Sequence, residues 1–280
     1  MSTPLPPTPI DQAQHWNEDG GRRWVDNIDR VERMMAPLNA ELLALAAPRA
    51  GEHVLDVGCG GGTTSAAFAA AVGPSGRVLG VDVSAVILEV ARKRHAAEAR
   101  LGFELGDAAT MPLAGFDLVA SRFGVMFFEE PVAAFTNLRR ALKADGRLAF
   151  VCWRALEDNP WLGDCARAAF TVLPQPEPTP PGAPGPFAFA DATRLRGILA
   201  AAGFVGIDIA PLDLMLDLGS LEDALEQMTR MGPAAAGYAA ADAATRAAVV
   251  RALSATFEAW VDGGRVRMPG STWLVRANAA

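Results

Sequence analysis

Lysine is almost missing from this chain: of 25 basic residues only Lys93 and Lys143 are lysines. The rest are arginines, a bias we read as coding preference without functional weight. Positive charge is also outnumbered, with a net charge of -7, which argues against a large phosphate-binding face and so against nucleic acid as a partner. Cysteine is down to Cys59, Cys152 and Cys165, odd in number and without metal-ligand spacing. That excludes a disulfide framework and a zinc site and suggests a reducing, cytoplasmic setting. Histidine is limited to His15, His53 and His95. Although 51% of the residues are hydrophobic, much of this is alanine in helical stretches, and no run reaches the ~20 residues of a membrane span. Met1–Ile10 is proline-rich and lacks the basic start and apolar centre of a signal peptide. A chain of 280 residues can bury a sizeable core as one large domain or one domain with a cap. Nothing in its composition opposes a homo-oligomer.

What the chain does have is concentrated in His53-Val54-Leu55-Asp56-Val57-Gly58-Cys59-Gly60-Gly61-Gly62-Thr63-Thr64. Val54, Leu55 and Val57 form an apolar run of strand length. The glycines then allow a sharp turn and a close backbone approach to a ligand. Thr63 or Thr64 starts a helix over Ser65–Val72, whose free N–H groups favour an anion, and Gly73-Pro74 stops it. Arg77–Val81 is the next strand. Asp82 follows Gly62 by about twenty residues, the offset at which a carboxylate meets a ribose. A dinucleotide site would want a third glycine where Thr63 stands. Asp56, two residues before Gly58, would repel a pyrophosphate and suits an ammonium group instead.

This block resembles the class I S-adenosylmethionine-dependent methyltransferases, particularly the branch similar to the ubiquinone/menaquinone-biosynthesis C-methyltransferases. The resemblance runs over roughly residues 15 to 155. It implies a seven-stranded, mostly parallel Rossmann-like α/β sheet with a reversed last strand, flanking helices and a small helical cap.

Helix and strand signals alternate as such a sheet requires. Ser84 caps a helix to about Ala99, Leu101–Leu105 is the third strand, and Phe116–Phe123 the fourth. Glu130-Pro131 opens a helix through Phe135, Leu138 and Leu142, and Asp145-Gly146 turns into the fifth strand, Arg147–Trp153. Asn159–Leu173 reads as helical, and Pro174–Pro186 as an irregular linker or an active-site lid. A helix over Asp191–Ala202 precedes a long strand, Phe204–Leu218, interrupted near Pro211. Helices over Leu221–Met231 and Ala241–Val261 lead to a last strand, Thr272–Ala277. The expected organisation is an N-terminal helical lid segment over 1–50, a cofactor-binding core over 51–155, and over 156–280 the completion of the sheet with the proline-rich loop and a helical cap insertion.

Carried over residue by residue, the resemblance implies S-adenosyl-L-methionine as cofactor. Asp56 and the Gly58-Cys59-Gly60 backbone, with Thr63 beyond, would hold its methionine end. Asp82 would accept the ribose hydroxyls from a strand end that is no part of the core, with Val83 against the adenine. Asp107 with Ala108 would take the adenine edge, although Gly106-Asp107 also reads as a plain turn. Ser121, Arg122 and Phe123 would line the site beside the methyl group, in keeping with ligand binding beyond the carboxyl ends of the strands; packing explains Ser121 and Phe123 equally well. Trp24 and Met35 would face the ligand if the N-terminal segment closes over it. No catalytic base is evident, and His15 is the one histidine expected near the substrate.

The fourth strand carries Ser121-Arg122-Phe123-Gly124 and not the Asn/Asp-Pro-Pro-aromatic signature of nucleic-acid amino-methylating enzymes. The paired-glutamate loop of the protein-arginine type and the cysteine set of the arsenic-methylating type are missing. The expected function is methyl transfer to a small, partly apolar molecule at carbon, oxygen or nitrogen, the apolar bias coming from Phe123, Met126, Phe127, Phe128 and Trp153 as pocket lining, with Met126–Phe128 reading equally as core. Two alternatives stand beside it: a protein that binds the cofactor without transferring its methyl group, and a nicotinamide-dependent oxidoreductase, which Asp56 and the missing third glycine oppose.

Overall fold

A computed structural model of the chain describes residues 12–177 and 180–279; the proline-rich Met1–Ile10 lies outside the described residues. Two helices come first, α1 (Gln12–Asn17) and α2 (Asp19–Ala46). The first half of the sheet then alternates as β1 (His53–Val57), α3 (Thr63–Val72), β2 (Arg77–Asp82), α4 (Ala85–Arg94), β3 (Leu101–Leu105) and β4 (Phe116–Arg122). The chain continues through α5 (Pro131–Ala141), β5 (Leu142–Trp153), α6 (Pro160–Ala169), α7 (Ala192–Ala201) and β6 (Phe204–Gly219). The last part holds α8 (Leu221–Met231), α9 (Ala235–Ala240), α10 (Ala243–Glu258), β7 (Val261–Asp262) and β8 (Arg265–Ala279).

The sheet order is β3-β2-β1-β4-β5-β8-β6, with the two-residue β7 hairpinned onto β8 as an eighth strand. Strands β1 to β5 are parallel to their neighbours, whereas β8 runs antiparallel to both β5 and β6. The order reverses between β1 and β4, so a crevice opens above the carboxyl ends of these two strands.

The strands of the central sheet are buried on both faces because helices cover both, which is why they read as continuous apolar runs. Val54, Leu55, Leu118, Val119, Leu148 and Phe150 are fully shielded from solvent. The second half of α2 belongs to the same core through Leu38 and Leu42.

Several local expectations are corrected. The helix after β1 begins at Thr63 with Gly62 at its cap in a left-handed conformation (φ 83°), because the Thr64 hydroxyl is used elsewhere. Helix α4 stops at Arg94, with Ser84 accepting from the Ile87 N–H at its start. Strand β5 begins at Leu142 and absorbs Asp145-Gly146, with a register shift against β4 between Phe116 and Leu118. Strand β6 continues through Pro211, which pairs in register with Trp273. It is the edge strand of the sheet, where a residue without an N–H is tolerated. Its irregularities fall instead between Val205 and Asp208 and between Asp217 and Gly219. Helices α8, α9 and α10 are inserted between β6 and β8, and among the described residues no helix is long and apolar enough to cross a membrane.

Candidate functional site

The turn after β1 is built around two close backbone approaches. Gly58 has φ 66°, and a Cβ placed on it would lie 2.6 Å from the Gly124 Cα. A Cβ on Gly124 would in turn lie 2.6 Å from the Val57 carbonyl oxygen. The ends of β1 and β4 therefore meet at a separation that only a pair of glycines permits. Gly60, at φ 55°, then brings its N–H to Asp82.

Asp82 at the end of β2 accepts from the Gly60 N–H at 2.9 Å through Oδ2 and from the Ser84 N–H at 2.9 Å through Oδ1. One carboxylate thus fixes both the glycine turn and the start of α4. Burial pushes its pKa up, and the N–H groups of Ser84, Gly60 and Val83 oppose that rise. The expectation that Asp82 is structurally idle is corrected here, since its loss would leave two backbone donors without their acceptor. Each oxygen keeps a lone pair for a further donor.

Asp56 does not reach the cavity. It is wholly buried under the turn, where its Oδ2 accepts from the Thr64 hydroxyl at 2.7 Å and the Ser65 hydroxyl at 2.6 Å. Burial raises its pKa to about 6, against the hydroxyl donors and the nearby Arg122 charge. This carboxylate holds the turn and the first turn of α3 from below. Cys59 is likewise turned away: its sulfur lies 2.8 Å from a Cβ built on Gly80, in the sheet. Ser121 is buried and structural, donating to the Val57 carbonyl at 2.8 Å while accepting from the N–H groups of Gly124 and Val125. Neither Thr63 nor these three line the cavity. For Asp56 and Ser121 the physical reason is shared: strand side chains alternate faces, and these strand-end positions face away from the cavity and serve the turn.

The cavity itself has a volume of about 740 Å³. Of the residues expected in the site, His15, Trp24, Gly58, Gly60, Asp82, Val83, Asp107, Ala108, Arg122 and Phe123 line it, as does Met35. The Asp107 carboxylate also closes its own turn, accepting from the Ala109 N–H at 2.9 Å. Phe123 adopts φ 66° and stacks on Trp153 with ring centroids 4.3 Å apart. The Arg122 guanidinium is engaged by Glu32 at 2.8 and 2.9 Å and by Asn39 at 2.7 Å, which ties α2 to the end of β4. It therefore presents a neutralised pair and not a free cation.

The N-terminal segment forms one wall. Asn17 donates to the Val83 carbonyl at 2.8 Å and accepts from the Ala85 N–H at 2.9 Å, and the Ser84 hydroxyl donates to the Trp16 carbonyl at 2.6 Å. Trp16 meets Trp24 and Phe127 edge to face. The Trp24 indole N–H is buried without a hydrogen-bond partner among the described residues, and Nε1 is the nearest atom, at 3.9 Å, to a Cβ built on Gly60. Burial and Arg23 lower the pKa of His15, so its imidazole is held toward the neutral form. His53 is exposed at the start of β1, and His95 caps the end of α4 with its ring near Phe103.

Sequence reasoning missed a second set of lining residues. Trp161 and Leu162 of α6, Gln227, Met228 and Met231 of α8, and Pro186 at the end of the proline-rich segment all reach the cavity. They come from 120 or so residues of chain with no site motif, and their pattern is that of ordinary amphipathic helices. Glu32 and Asn39 were equally invisible, because a charge on a helix face does not announce its partner.

Residues 54–146 match the methyltransferase domain family. A demethylmenaquinone methyltransferase of Symbiobacterium thermophilum is 32% identical over 160 residues, covering 54% of this chain and 62% of its own. The nocamycin O-methyltransferase of Saccharothrix syringae is 37% identical over 117 residues, covering 40% of this chain and 41% of its own. The chain thus spans roughly half the length of such curated relatives. Among solved structures, phosphoethanolamine N-methyltransferase 2 of Haemonchus contortus in complex with S-adenosyl-L-methionine is alike in fold, with a TM-score of 0.61 at 16% identity over 98% of this chain and 61% of that one. Glycine turn, bracing carboxylate, strand order and matched domain agree: residues 54–146 carry a methyltransferase domain, and the fold around it is like that of solved methyltransferases.

Proposed function

We propose that this chain transfers the methyl group of S-adenosylmethionine to a small-molecule acceptor. The observation that carries this is Asp82, whose carboxylate pins the Gly60 turn while lining the cavity. The residues present fit the cofactor. Asp82 has lone pairs for the ribose hydroxyls, and Asp107 and Ala108 lie at the end of the neighbouring strand for the adenine edge, with Val83 between. Gly58 and Gly60 offer backbone where a Cβ would intrude, and the unpartnered Trp24 N–H beside Gly60 offers a donor to the methionine carboxylate.

When bound, the cofactor supplies an activated methyl carbon on its sulfonium. What the chain contributes is placement, alignment and exclusion of water. The wall made by α2, α6 and α8 shields the space beyond Phe123. Glu129 and Glu130 are exposed at the mouth, and His15, held toward neutrality, is the residue able to take a proton from an acceptor on that side. A volume of about 740 Å³ lies in the upper half of the ~300–1,000 Å³ range of small-molecule sites, which leaves room for a second ligand beside the cofactor.

Isothermal titration with S-adenosylmethionine and S-adenosylhomocysteine, using Asp82→Ala as control, tests the binding step. Wild-type heat that the variant loses is the expected result, and no heat from the wild type overturns the reading. Incubation with a metabolite extract and S-adenosylmethionine then tests transfer. Acceptor-dependent S-adenosylhomocysteine formation is expected, and binding without it would make the chain a cofactor-binding protein.

A further inference from the structure

Two residues other than glycine hold a positive φ among the described residues. Ala47 closes helix α2 in a left-handed turn, the ordinary place for one. Phe123 is the other, at φ 66° and ψ -6° directly after β4. For a bulky aromatic residue this conformation is strained and persists only where the surroundings force it. Here both sides are fixed. The Phe123 N–H donates to the Val151 carbonyl at 3.0 Å, and the Ser121 hydroxyl accepts from the Gly124 and Val125 N–H groups just beyond. Gly124 has no room to yield, because it packs directly on Gly58. A glycine at 123 would meet the same backbone demand freely, so strain is the consequence of keeping a ring here.

The ring is also backed. Trp153, at the end of β5, stacks on it with 4.3 Å between centroids and 11° between planes, and Trp161 lies 5.2 Å behind Trp153. The Trp161 indole N–H donates to the wholly buried Asn159 at 3.2 Å, which holds the stack from its far side. With one face on Trp153, Phe123 is still only half-buried, and it lines the cavity. Strand order decides which part of a ligand it meets. Neighbours in the series β3-β2-β1-β4 lie about 4.8 Å apart. The proposed reading sets the adenine at Asp107 after β3 and the ribose at Asp82 after β2. The sulfonium is joined to the ribose through one methylene, so it follows toward β1 and β4, where Phe123 stands. No carboxylate lines the cavity there. Asp56 lies beneath the turn, Glu32 is bound to Arg122, and the lining carboxylates are Asp82, Asp107 and the exposed Glu129 and Glu130.

Resting on the methyl-transfer reading, we infer that Phe123, held in this strained conformation and backed by Trp153, receives the positive sulfonium on its ring and so distinguishes the charged methyl donor from neutral S-adenosylhomocysteine. Aromatic faces attract cations through their quadrupole, and they suit onium groups that have no N–H or O–H to donate. A sulfonium is such a group. Transfer breaks the bond between sulfur and the methyl carbon and leaves its electron pair on sulfur, which becomes neutral. The attraction ends with the charge, and product exchanges for fresh donor. Phe123 is a binding and discrimination residue and handles no proton.

The test uses the full chain and three probes: S-adenosylmethionine, neutral S-adenosylhomocysteine, and sinefungin, which carries an amine-bearing carbon in place of the sulfonium. Binding is measured by isothermal titration. Phe123→Leu should weaken S-adenosylmethionine about three- to tenfold and change S-adenosylhomocysteine by less than about twofold. Sinefungin, also a cation at that position, should follow S-adenosylmethionine. Phe123→Tyr keeps a ring face and should retain the wild-type ratio of the affinities. Phe123→trifluorophenylalanine keeps the shape, depletes the ring face of electron density, and should shift the ratio in the direction of the leucine variant. An unchanged ratio in a Phe123→Leu protein with wild-type circular dichroism overturns the inference, as does an unchanged ratio in the fluorinated protein, and Phe123→Met serves if the leucine variant misfolds. The backbone is read without any ligand. Phe123→Gly should melt above Phe123→Ala, because it alone releases the strain at φ 66°; the reverse order overturns the claim that strain holds the ring. The titrations also separate the two levels: binding of all three probes with no shift in any variant removes this inference alone, and binding of none by the wild type removes the cofactor assignment.

Discussion

The two ends of the cavity are built on opposite principles. At the β1–β2–β3 end the wall is largely backbone and carboxylate, with Gly58, Gly60, Asp82 and Asp107 held by hydrogen bonds a few residues or one strand away. At the α2–α6–α8 end it is sulfur and aromatic ring, with Met34, Trp161, Gln227 and Met228 drawn from three helices far apart in the chain. The first end suits a polar ligand with a fixed set of donors and acceptors, and the second an apolar one whose shape matters more than its charge. Between them stands the Arg122–Glu32 pair, a charge kept inside the protein and made harmless by its partner.

That seam offers the largest expected effect. The Arg122 and Glu32 side chains are 8% and 10% exposed, and removal of one partner from a buried pair costs about 3–5 kcal/mol because a charge is left buried and alone. Glu32→Ala should lose stability of that order in urea denaturation, whereas the double change Arg122→Met with Glu32→Leu should lose clearly less. Equal losses would mean that the pair does not join the two ends.

Next in size is the polar end itself. On the proposed reading Asp82 accepts two charge-assisted hydrogen bonds from the ribose, each contributing about 1.5–3 kcal/mol, and Asp82→Ala loses both. Affinity for S-adenosylhomocysteine should fall by about two orders of magnitude or more. The melting temperature should fall as well, since Gly60 and Ser84 lose their acceptor. The pH dependence has a definite sign. Burial raises the Asp82 pKa, and hydroxyl donors favour the ionised form, so binding releases a proton and affinity falls as pH drops through the free protein's value. Acid weakening of S-adenosylhomocysteine binding should therefore begin above the usual carboxylate range, and Asp82→Asn should remove it.

Gly124→Ala comes third. Its Cβ would meet the Val57 oxygen at 2.6 Å and the Gly58 Cα at 2.8 Å, both backbone. Forcing the ends of β1 and β4 apart should cost about 1–3 kcal/mol of stability and weaken cofactor binding. Calorimetry on the one variant reads both.

The smallest effect concerns Asp56. Its pKa rises from an ordinary 3.8 to about 6 in the folded chain, so the native state holds a proton that the unfolded state has released. Stability contributed at this position is therefore greatest below the lower value and declines as pH rises through that window. Wild-type thermal stability relative to Asp56→Asn should drift downward across it, and a drift in the opposite sense would show that the carboxylate is ionised under the turn.

How legible each end was in the sequence follows from the same contrast. The glycine turn, Asp82 and the strand-helix alternation were readable because each rests on local rules: turn glycines, a strand-length apolar run, a carboxylate at a fixed offset. The misreading at this end, Asp56, is of direction and not of position, and Ser121 settles on the packing side of the two readings it allowed, since a polar residue at a strand end can face the ligand or the turn and only the pleat decides. Pro211 misled in a similar way, as its tolerance depends on β6 being an edge strand. The apolar end was readable only in part: Phe123, Met126, Phe127, Phe128 and Trp153 do line the cavity, but the contribution of α6 and α8 was not visible. Gln227 looks like any polar residue on a helix until α8 is laid on α2 and it lines the cavity.

The sequence by itself determined the likeness to a methyltransferase domain over residues 54–146, the parallel half of the sheet and the glycine turn, because those are encoded within short windows by backbone freedom and hydrophobic period. Tertiary structure alone decided which carboxylate lines the cavity, which charge is neutralised, and what the apolar end of the cavity is made of. These depend on burial and on pairs such as Arg122 with Glu32 and Gln227 with Met34, and no local pattern records the distance between residues that meet only after the chain has folded.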